Sequence, residues 1–408
     1  MNIGVFILWY IYWAFQLFLA SFLIQPSILL LIYLAKRIVA SKSIAGRKTT
    51  IRKNYQFAVV ITAHQETTYL PPIIDSLLKQ VYPHFNVYIV ADDCDISPLH
   101  FEDPRIHILS PPIPLNNKSK SIRYALERFR DEDEVLVIFD PDNLLHPGFL
   151  TALNTWYNRG YLAVQGSLHS KNVGGAYEKM DGAGALFNNF MDRDMRSMLG
   201  FSVNIWGCGI SVDKQIYKKI IYNEKSRTGG FDKQMQVEIA KNVPRIGYAG
   251  GAILYDEKVS NGQTLERQRT RWIYAYFKFL GEAAALLIEG ILRGDLNLCY
   301  FGYNLVRPPY FLQLAIAALL IWLNWKDFPA LSIAWLILLS AFILSFIIIV
   351  MISASGRAVS KGIWYMPLFF YHQVRSLFRI RMSKHTFLKT EHSRIVYIDD
   401  LLKHAPNS

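Results

Sequence analysis

Residues 135–143 read VLVIFDPDN. Five apolar residues, Val135 to Phe139, follow the charged run DEDE at 131–134. An apolar run bounded in this way reads as a buried strand. Asp140 and Asp142 then stand where a parallel strand meets solvent, the usual ligand position of an open α/β sheet. An Asp-x-Asp step there offers oxygen ligands to a hard divalent cation, Mg²⁺ or Mn²⁺, and leaves positions for phosphates. Alone, the same step is also a common solvated turn, so its meaning rests on its surroundings.

Outward from this strand, the chain alternates. Phe57 to Thr62 (FAVVIT), Val87 to Ala91 (VYIVA), Ile106 to Leu109 and Leu162 to Gln165 read as further strands. Leu70 to Lys79 and Ser119 to Arg130 have helical spacing, the second with Ser119 or Ser121 as cap. Strand–helix alternation predicts an α/β fold: a mostly parallel sheet with helices on both faces. Functional side chains then belong at the carboxyl ends of strands. His64 and Glu66 follow the first strand, Asp92 the second, Asp140 and Asp142 the fourth.

The chain has 408 residues, 52% hydrophobic and 14% aromatic, with apolar residues concentrated at two places. Val5 to Ala35 is broken only by Gln16, Gln25, Pro26 and a few serines, and exceeds the ~20 residues a span needs. No basic residue precedes it and Lys36-Arg37 follow, so it does not read as a cleaved signal. Leu331 to Ile352 is a second span; Tyr310 to Leu323 becomes a third if Tyr303 to Trp325 is counted. Basic residues crowd after the first span (Lys36, Arg37, Lys42, Arg47, Lys48) and after the last (Arg357, Lys361, Arg375, Arg379). The positive-inside rule then predicts an integral protein of the cell (inner) membrane, with residues 36–308 and the tail cytoplasmic. The net charge of +12 is explained by anionic lipid beside these spans rather than by nucleic acid. Cys94, Cys208 and Cys299 lack metal-ligand spacing and read as free thiols.

Four pieces occur in order: ITAHQE, IVADDCD, IFDPDN and ERQRTRW (Glu266 to Trp272), with GGFDKQMQVE between the last two. Here the chain resembles membrane-bound glycosyltransferase family 2, the inverting GT-A (Rossmann-like) enzymes that include cellulose, chitin and hyaluronan synthases and ceramide glucosyltransferase. The resemblance covers roughly residues 55–275, and its most specific piece is Gln-x-x-Arg-Trp after an Asp-x-Asp. It implies that Glu66 and Asp92 hold the nucleoside of a nucleotide-sugar, and that Asp140 and Asp142 place the metal on its diphosphate. It implies that Asp232 is the general base, although Phe231 stands where the family has glutamate. Gln268 and Trp272 would line the acceptor site and Arg271 would contact the diphosphate. Lys120, near a step where the family has Gly-Lys-Gly, would add a cationic contact to the donor. Trp206 and Gly207-Cys208-Gly209 fall where the family has a small-residue loop beneath the acceptor. FLKTEH (Phe387 to His392) resembles the gating loop of processive synthases, which would bring Thr390 and His392 to the diphosphate.

The resulting organisation is an anchor at 1–37, a GT-A domain at 50–275, an interfacial region at 276–308, a membrane hairpin at 309–353 and an amphipathic tail at 354–408. The motif helix is expected to continue to about Gly290, and Ile363 to Ile380 to form an interfacial helix interrupted at Pro367. The reaction implied is inverting transfer from a UDP-sugar to a hydroxyl of a lipid-linked or saccharide acceptor. A processive polysaccharide synthase is the alternative; three spans do not enclose a channel, so it requires a homo-oligomer or an export partner. A transporter subunit and an inactive nucleotide-sugar-binding scaffold are more remote readings.

Overall fold

The structure, a computed structural model, describes residues 3–40, 49–223, 230–353, 355–380 and 395–404. Thr390 and His392 lie outside them.

Eight strands form one sheet: β1 Phe57–His64, β2 Phe85–Asp92, β3 Ile106–Leu109, β4 Val135–Phe139, β5 Leu144–Leu145, β6 Ala163–Ser170, β7 Ile210–Asp213 and β8 Ile246–Asp256. Their order is β3-β2-β1-β4-β7-β6-β8-β5. The half from β3 to β4 is parallel throughout. Beyond β4 the sheet is mixed: β7 runs antiparallel to β4 and β6, β8 parallel to β6, and β5 antiparallel to β8. β1, β2 and β4 bury both faces, which is why they read as unbroken apolar runs. Ala58, Val60, Tyr88 and Val90 pack on one side with Ile122 and Ala125 of helix Lys118–Leu126. Val59, Ile61, Val87 and Ile89 pack on the other with Ile73, Ile74 and Leu77 of helix Leu70–Leu78. The alternation is the period-two pattern of a pleated strand.

Three expectations are corrected. Helix Lys118–Leu126 is capped by Asn117, whose side chain accepts from the Lys120 N–H, rather than by a serine; the extended Asn117 backbone suits a cap. The motif helix ends at Lys278, and Leu280–Arg293 is a separate helix. Pro367 does not interrupt the amphipathic helix; it opens Met366–Phe378, where its missing N–H costs nothing.

Two helices, spanning Phe6–Ile38 and Pro329–Ile352, are long and apolar enough to cross a membrane. They pack through Leu19, Leu23, Leu29, Trp335, Phe342 and Ile349. The glutamines that interrupt the first apolar run are hydrogen-bonded inside the bundle. Gln16 accepts from Trp335 (2.7 Å) and Asn324 (3.1 Å), and Gln25 donates to Tyr300 (2.9 Å) and Asn304 (3.1 Å). In hydrocarbon such bonds fix which helix faces meet. Tyr303 to Trp325 is not one helix. The chain bends by 72° between Leu296–Val306 and Tyr310–Asn324, at Arg307-Pro308-Pro309, where consecutive prolines stop the ladder. The 15 residues of Tyr310–Asn324 extend about 22 Å, less than the ~30 Å hydrocarbon thickness.

The sheet domain joins these helices through a buried ion cluster. Asp192, in the π-helical turn Phe190–Asp194, accepts from Arg196 (2.8 Å) and from Arg307 at the bend (3.0 Å). All three side chains are nearly inaccessible. Asp192→Ala is expected to destabilise the protein by about 3–5 kcal/mol, because two guanidinium groups would stay buried without their anion. Thermal unfolding in detergent, followed by tryptophan fluorescence, measures this; an unchanged midpoint would refute the role given to the cluster.

Candidate functional site

Parallel register aligns the ends of β1 and β2, pairing His64 with Asp92. The Asp92 carboxylate lies 3.1 Å from His64 Nδ1 and accepts from the N–H groups of Leu115 (2.6 Å) and Asn116 (2.9 Å). Asp92 therefore holds the loop that leads, through Asn116 (φ 49°) and the cap Asn117, into helix Lys118–Leu126. Glu66 lies half-buried at the β1 end, after Gln65 (φ 60°), whose amide donates to Asp93 (2.9 Å).

The start of that helix aims a lysine at the end of β4. Lys118 Nζ contacts Asp140 Oδ1 (2.6 Å) and donates to the Gly207 carbonyl (2.9 Å). Burial disfavours its charge, but Asp140 and Asp232 more than offset this and raise its pKa. Lys120, two residues on, is exposed. The side chain of Asn143 fixes the turn by accepting from the Asp140 N–H (3.0 Å). Asp142 is buried, and Lys171 donates to its carbonyl.

β7 runs antiparallel to β4, so its first residues lie beside the last of β4. The Gly209 N–H donates to the Ile138 carbonyl (2.7 Å). Gln165 in β6 braces the loop, accepting from the Trp206 N–H (2.8 Å) and donating to the Cys208 carbonyl (3.0 Å). A Cβ on Gly207 would stand only 2.4 Å from Asp232 Oδ1, so glycine is what lets the Asp232 carboxyl approach the loop. Asp232 sits in the first turn of Phe231–Asn242, after Gly230 (φ 82°). Burial raises its pKa above the usual aspartate range and Asp140 adds to this, against Lys118, Lys233 and Arg271. Arg271, on helix Gly262–Lys278, is lowered by burial, while Asp232 and Asp140 hold its charge. On the same helix Trp272 is exposed, and Gln268 Oε1 is buried with no hydrogen-bond partner among the described residues. Arg269 turns away to pair with Asp181 and stack on Trp272 at 4.1 Å.

Lys118, Asp140, Asp232 and Arg271 thus share one electrostatic cluster at the strand ends, with Asp142 close by. Lys118 and Lys120 both fall near the step where the family has Gly-Lys-Gly, and the expectation puts the cationic contact on Lys120; the structure turns Lys118 toward Asp140 and leaves Lys120 exposed. The helical register, set by Asn117 as cap, was the missing signal. Asp256, at the end of β8, is a buried carboxyl that no sequence pattern marks; burial pushes its pKa up to about 6 against the pull of Lys258 (2.6 Å). Cys208 is buried, and burial followed by Asp140 raises its thiol well above the usual value; it is packing, not a nucleophile.

Asp140 and Asp142 fit a divalent cation shared with a phosphate-bearing ligand, since carboxylate oxygens are the hard donors Mg²⁺ and Mn²⁺ take. Among the described residues, no three His, Cys, Asp or Glu side chains gather as a complete metal cage, so the ligand and water would supply the remaining positions.

Known proteins resemble this chain in sequence pattern and in fold. The sequence model of Glycosyltransferase like family 2 matches residues 54–275. Among solved structures, a mannosyltransferase, PcManGT from Pyrobaculum calidifontis, in complex with GDP-Man and Mn²⁺, is 13% identical with a TM-score of 0.50, covering 90% of this chain and 99% of its own. TarS (residues 1–349) from S. aureus is 14% identical with a TM-score of 0.41, covering 84% and 94%. No curated protein matches the chain.

Of the three free thiols, Cys208 is expected to resist alkylation in the folded protein and to react fully after denaturation. Thiol titration by mass spectrometry with N-ethylmaleimide checks this. Modification of Cys208 as fast as Cys299 would contradict the closed loop.

Proposed function

The chain belongs to glycosyltransferase-like family 2, and from that premise we propose inverting transfer of one sugar, from a UDP-sugar to a hydroxyl of a lipid-linked or saccharide acceptor at the cytoplasmic face of the membrane. The observation that carries the mechanism is Asp232: a carboxyl of raised pKa seated against Gly207 and surrounded by Lys118, Lys233 and Arg271.

In this reading Asp232 takes the proton of the acceptor hydroxyl as its oxygen attacks the anomeric carbon. The new C–O bond forms on the face opposite the breaking bond to the β-phosphate oxygen, so the configuration inverts. The electron pair leaves with the nucleoside diphosphate, and Asp232 later passes its proton to water. Lys118 and Arg271 stand where negative charge grows on the leaving group; Arg271 suits it because a guanidinium donates to two phosphate oxygens at once. A divalent cation on Asp140 and Asp142 would act as a Lewis acid on the same diphosphate. Gln268, with its unused acceptor, and Trp272 would bind the acceptor sugar. Glu66 and the Asp92-held loop would face the nucleoside. Basic clusters beside both long apolar helices support the cytoplasmic orientation. A transfer needing no sealed channel is favoured over processive synthesis because only two described helices are long and apolar enough to span, or three if the bent pair counts.

Asp232→Asn is expected to retain donor binding and to lose about 10²–10⁴-fold in turnover. Because the carboxyl acts ionised and its pKa is raised, kcat/KM of the parent should fall on acidification with a midpoint above the ~4 of an ordinary aspartate. Nucleoside diphosphate release across a donor panel and a pH series reads both; turnover unchanged in the variant would remove Asp232 as base.

Lys118→Met is expected to weaken UDP binding by about ten-fold or more, the cost of a charge-assisted contact. Lys120→Met should stay within about two-fold. Calorimetric titration with Mg²⁺ present separates them, and the reverse order would reinstate Lys120.

A further inference from the structure

The π-helical turn Phe190–Asp194 stands between helix Ala176–Asn189 and the short helix Met195–Met198. Such turns are frequent at functional sites. Its successive charges serve different neighbours. Asp192 binds Arg196 and Arg307, and its backbone carbonyl accepts from the Asn204 N–H (3.1 Å). Arg196 also donates to the Asn204 side chain (2.7 Å). Arg193 is only 2% exposed, and its Nε and Nη1 have no hydrogen-bond partner among the described residues. What it meets is a ring: its guanidinium lies over Trp206, 3.8 Å from the ring centroid. Burial lowers its pKa to about 10 against the pull of Asp192, so the cation persists at neutral pH.

A buried guanidinium with unused donors costs free energy. An apolar side chain would fill the same space without that penalty, so what arginine adds is a flat cation on an indole face. The bonds to Asn204 hold one end of the loop, and Gln165 holds the backbone of Trp206 and Cys208. Arg193 holds the Trp206 ring. Gly207 comes next: its carbonyl accepts from Lys118, and its missing Cβ admits the Asp232 carboxyl. We propose that Arg193 is a positioning residue: stacked on Trp206, it keeps Gly207 seated against Asp232, the base of the proposed transfer. A turn of the Trp206 ring would shift Gly207, and with it the space in which Asp232 meets an acceptor hydroxyl. Misplacement by ~1 Å at such a point is worth ~10²-fold in rate. The effect on turnover rests on that reading of Asp232; the hold on the loop does not.

Cys208, in the same loop, reports on its position without turnover. The full chain is purified in detergent; N-ethylmaleimide modification of Cys208 and Cys299 is followed by mass spectrometry, and donor turnover by nucleoside diphosphate release. In Arg193→Met, Cys208 is expected to react about ten-fold faster than in the parent while Cys299 keeps its rate. The kcat is expected to fall about 10–100-fold with donor KM within about two-fold of the parent. Arg193→Lys, which returns a cation to the ring, should recover most of both losses. A merely structural residue would not separate kcat from KM in this way. If Arg193→Met has a lower unfolding midpoint, Trp206→Phe against Trp206→Leu decides, since the two are similar in size and only the first keeps a ring face for the cation. Trp206→Phe should then behave as the parent, and Trp206→Leu as expected for Arg193→Met. Cys208 as protected in the deciding variant as in the parent would overturn the proposal, and so would an opened Cys208 with kcat unchanged. A parent that releases nucleoside diphosphate from no donor would remove the proposed transfer, and Cys208 would then decide by itself whether Arg193 holds the loop.

Discussion

The structure turns on a change of direction at β4. On one side β4 runs parallel to β1; on the other β7 runs antiparallel to it. Parallel pairing lines up the carboxyl ends of β1, β2 and β4, which places His64, Asp92 and Asp140 along one edge. Antiparallel pairing brings the beginning of β7 to that same edge, and with it Gly207 to Gly209. A wholly parallel sheet would carry that loop to the opposite end. The aspartate pair and the glycine loop meet only because the sheet reverses here, and the Gly209 N–H to Ile138 carbonyl bond marks the junction.

Once this edge exists, each charged side chain is fixed by a neighbour with another task. Asp92 spends its carboxylate on the backbone of residues 115 and 116, and the consequence is the position of Lys118. Lys118 spans Asp140 and the Gly207 carbonyl, closing the space between β4 and β7. Asp232 enters from a separate helix, admitted by the missing side chain of Gly207. Buried charges this close are tolerable because they alternate in sign; a single deletion would leave a neighbour unpaired. The same logic repeats at the bend before Tyr310–Asn324, where Asp192 joins Arg196 and Arg307, and at the tail, where Glu266 gathers His372, Arg375 and Arg379.

The polar residues inside the apolar helices follow a related rule. Gln16, Gln25 and Asn324 read as blemishes in otherwise apolar segments, yet each bonds across helices. Where burial does not distinguish one apolar face from another, such bonds select the partner and the rotation. The bend at Pro308-Pro309 is likewise part of the architecture, since it presents Arg307 to Asp192.

Much of this was legible in the chain. β3 and β4 appear where their apolar runs lie, and β1, β2 and β6 extend theirs by a few residues. Asp140 and Asp142 stand out by their place after an apolar run, Asp232 and the Gln268–Trp272 motif by resemblance to a family, and the structure brings Asp140, Asp232 and Arg271 within reach of one another's charge. Local chemistry also determined the helix start after Asn117 and the stop at Pro308, though the cap had to be seen to be assigned. The tertiary structure alone decided which lysine faces Asp140, that β5, β7 and β8 complete the sheet, and that Glu266 clasps the amphipathic helix. β5 is only two residues long, β7 (ISVD) has no apolar run to mark it, and β8 is interrupted by Gly250-Gly251 opposite an irregularity at Gly166. The Glu266 clasp joins residues about a hundred positions apart. Periodicity and caps are local and survive in the sequence as pattern; long-range pairing depends on where packed elements come to rest, and no local pattern encodes it.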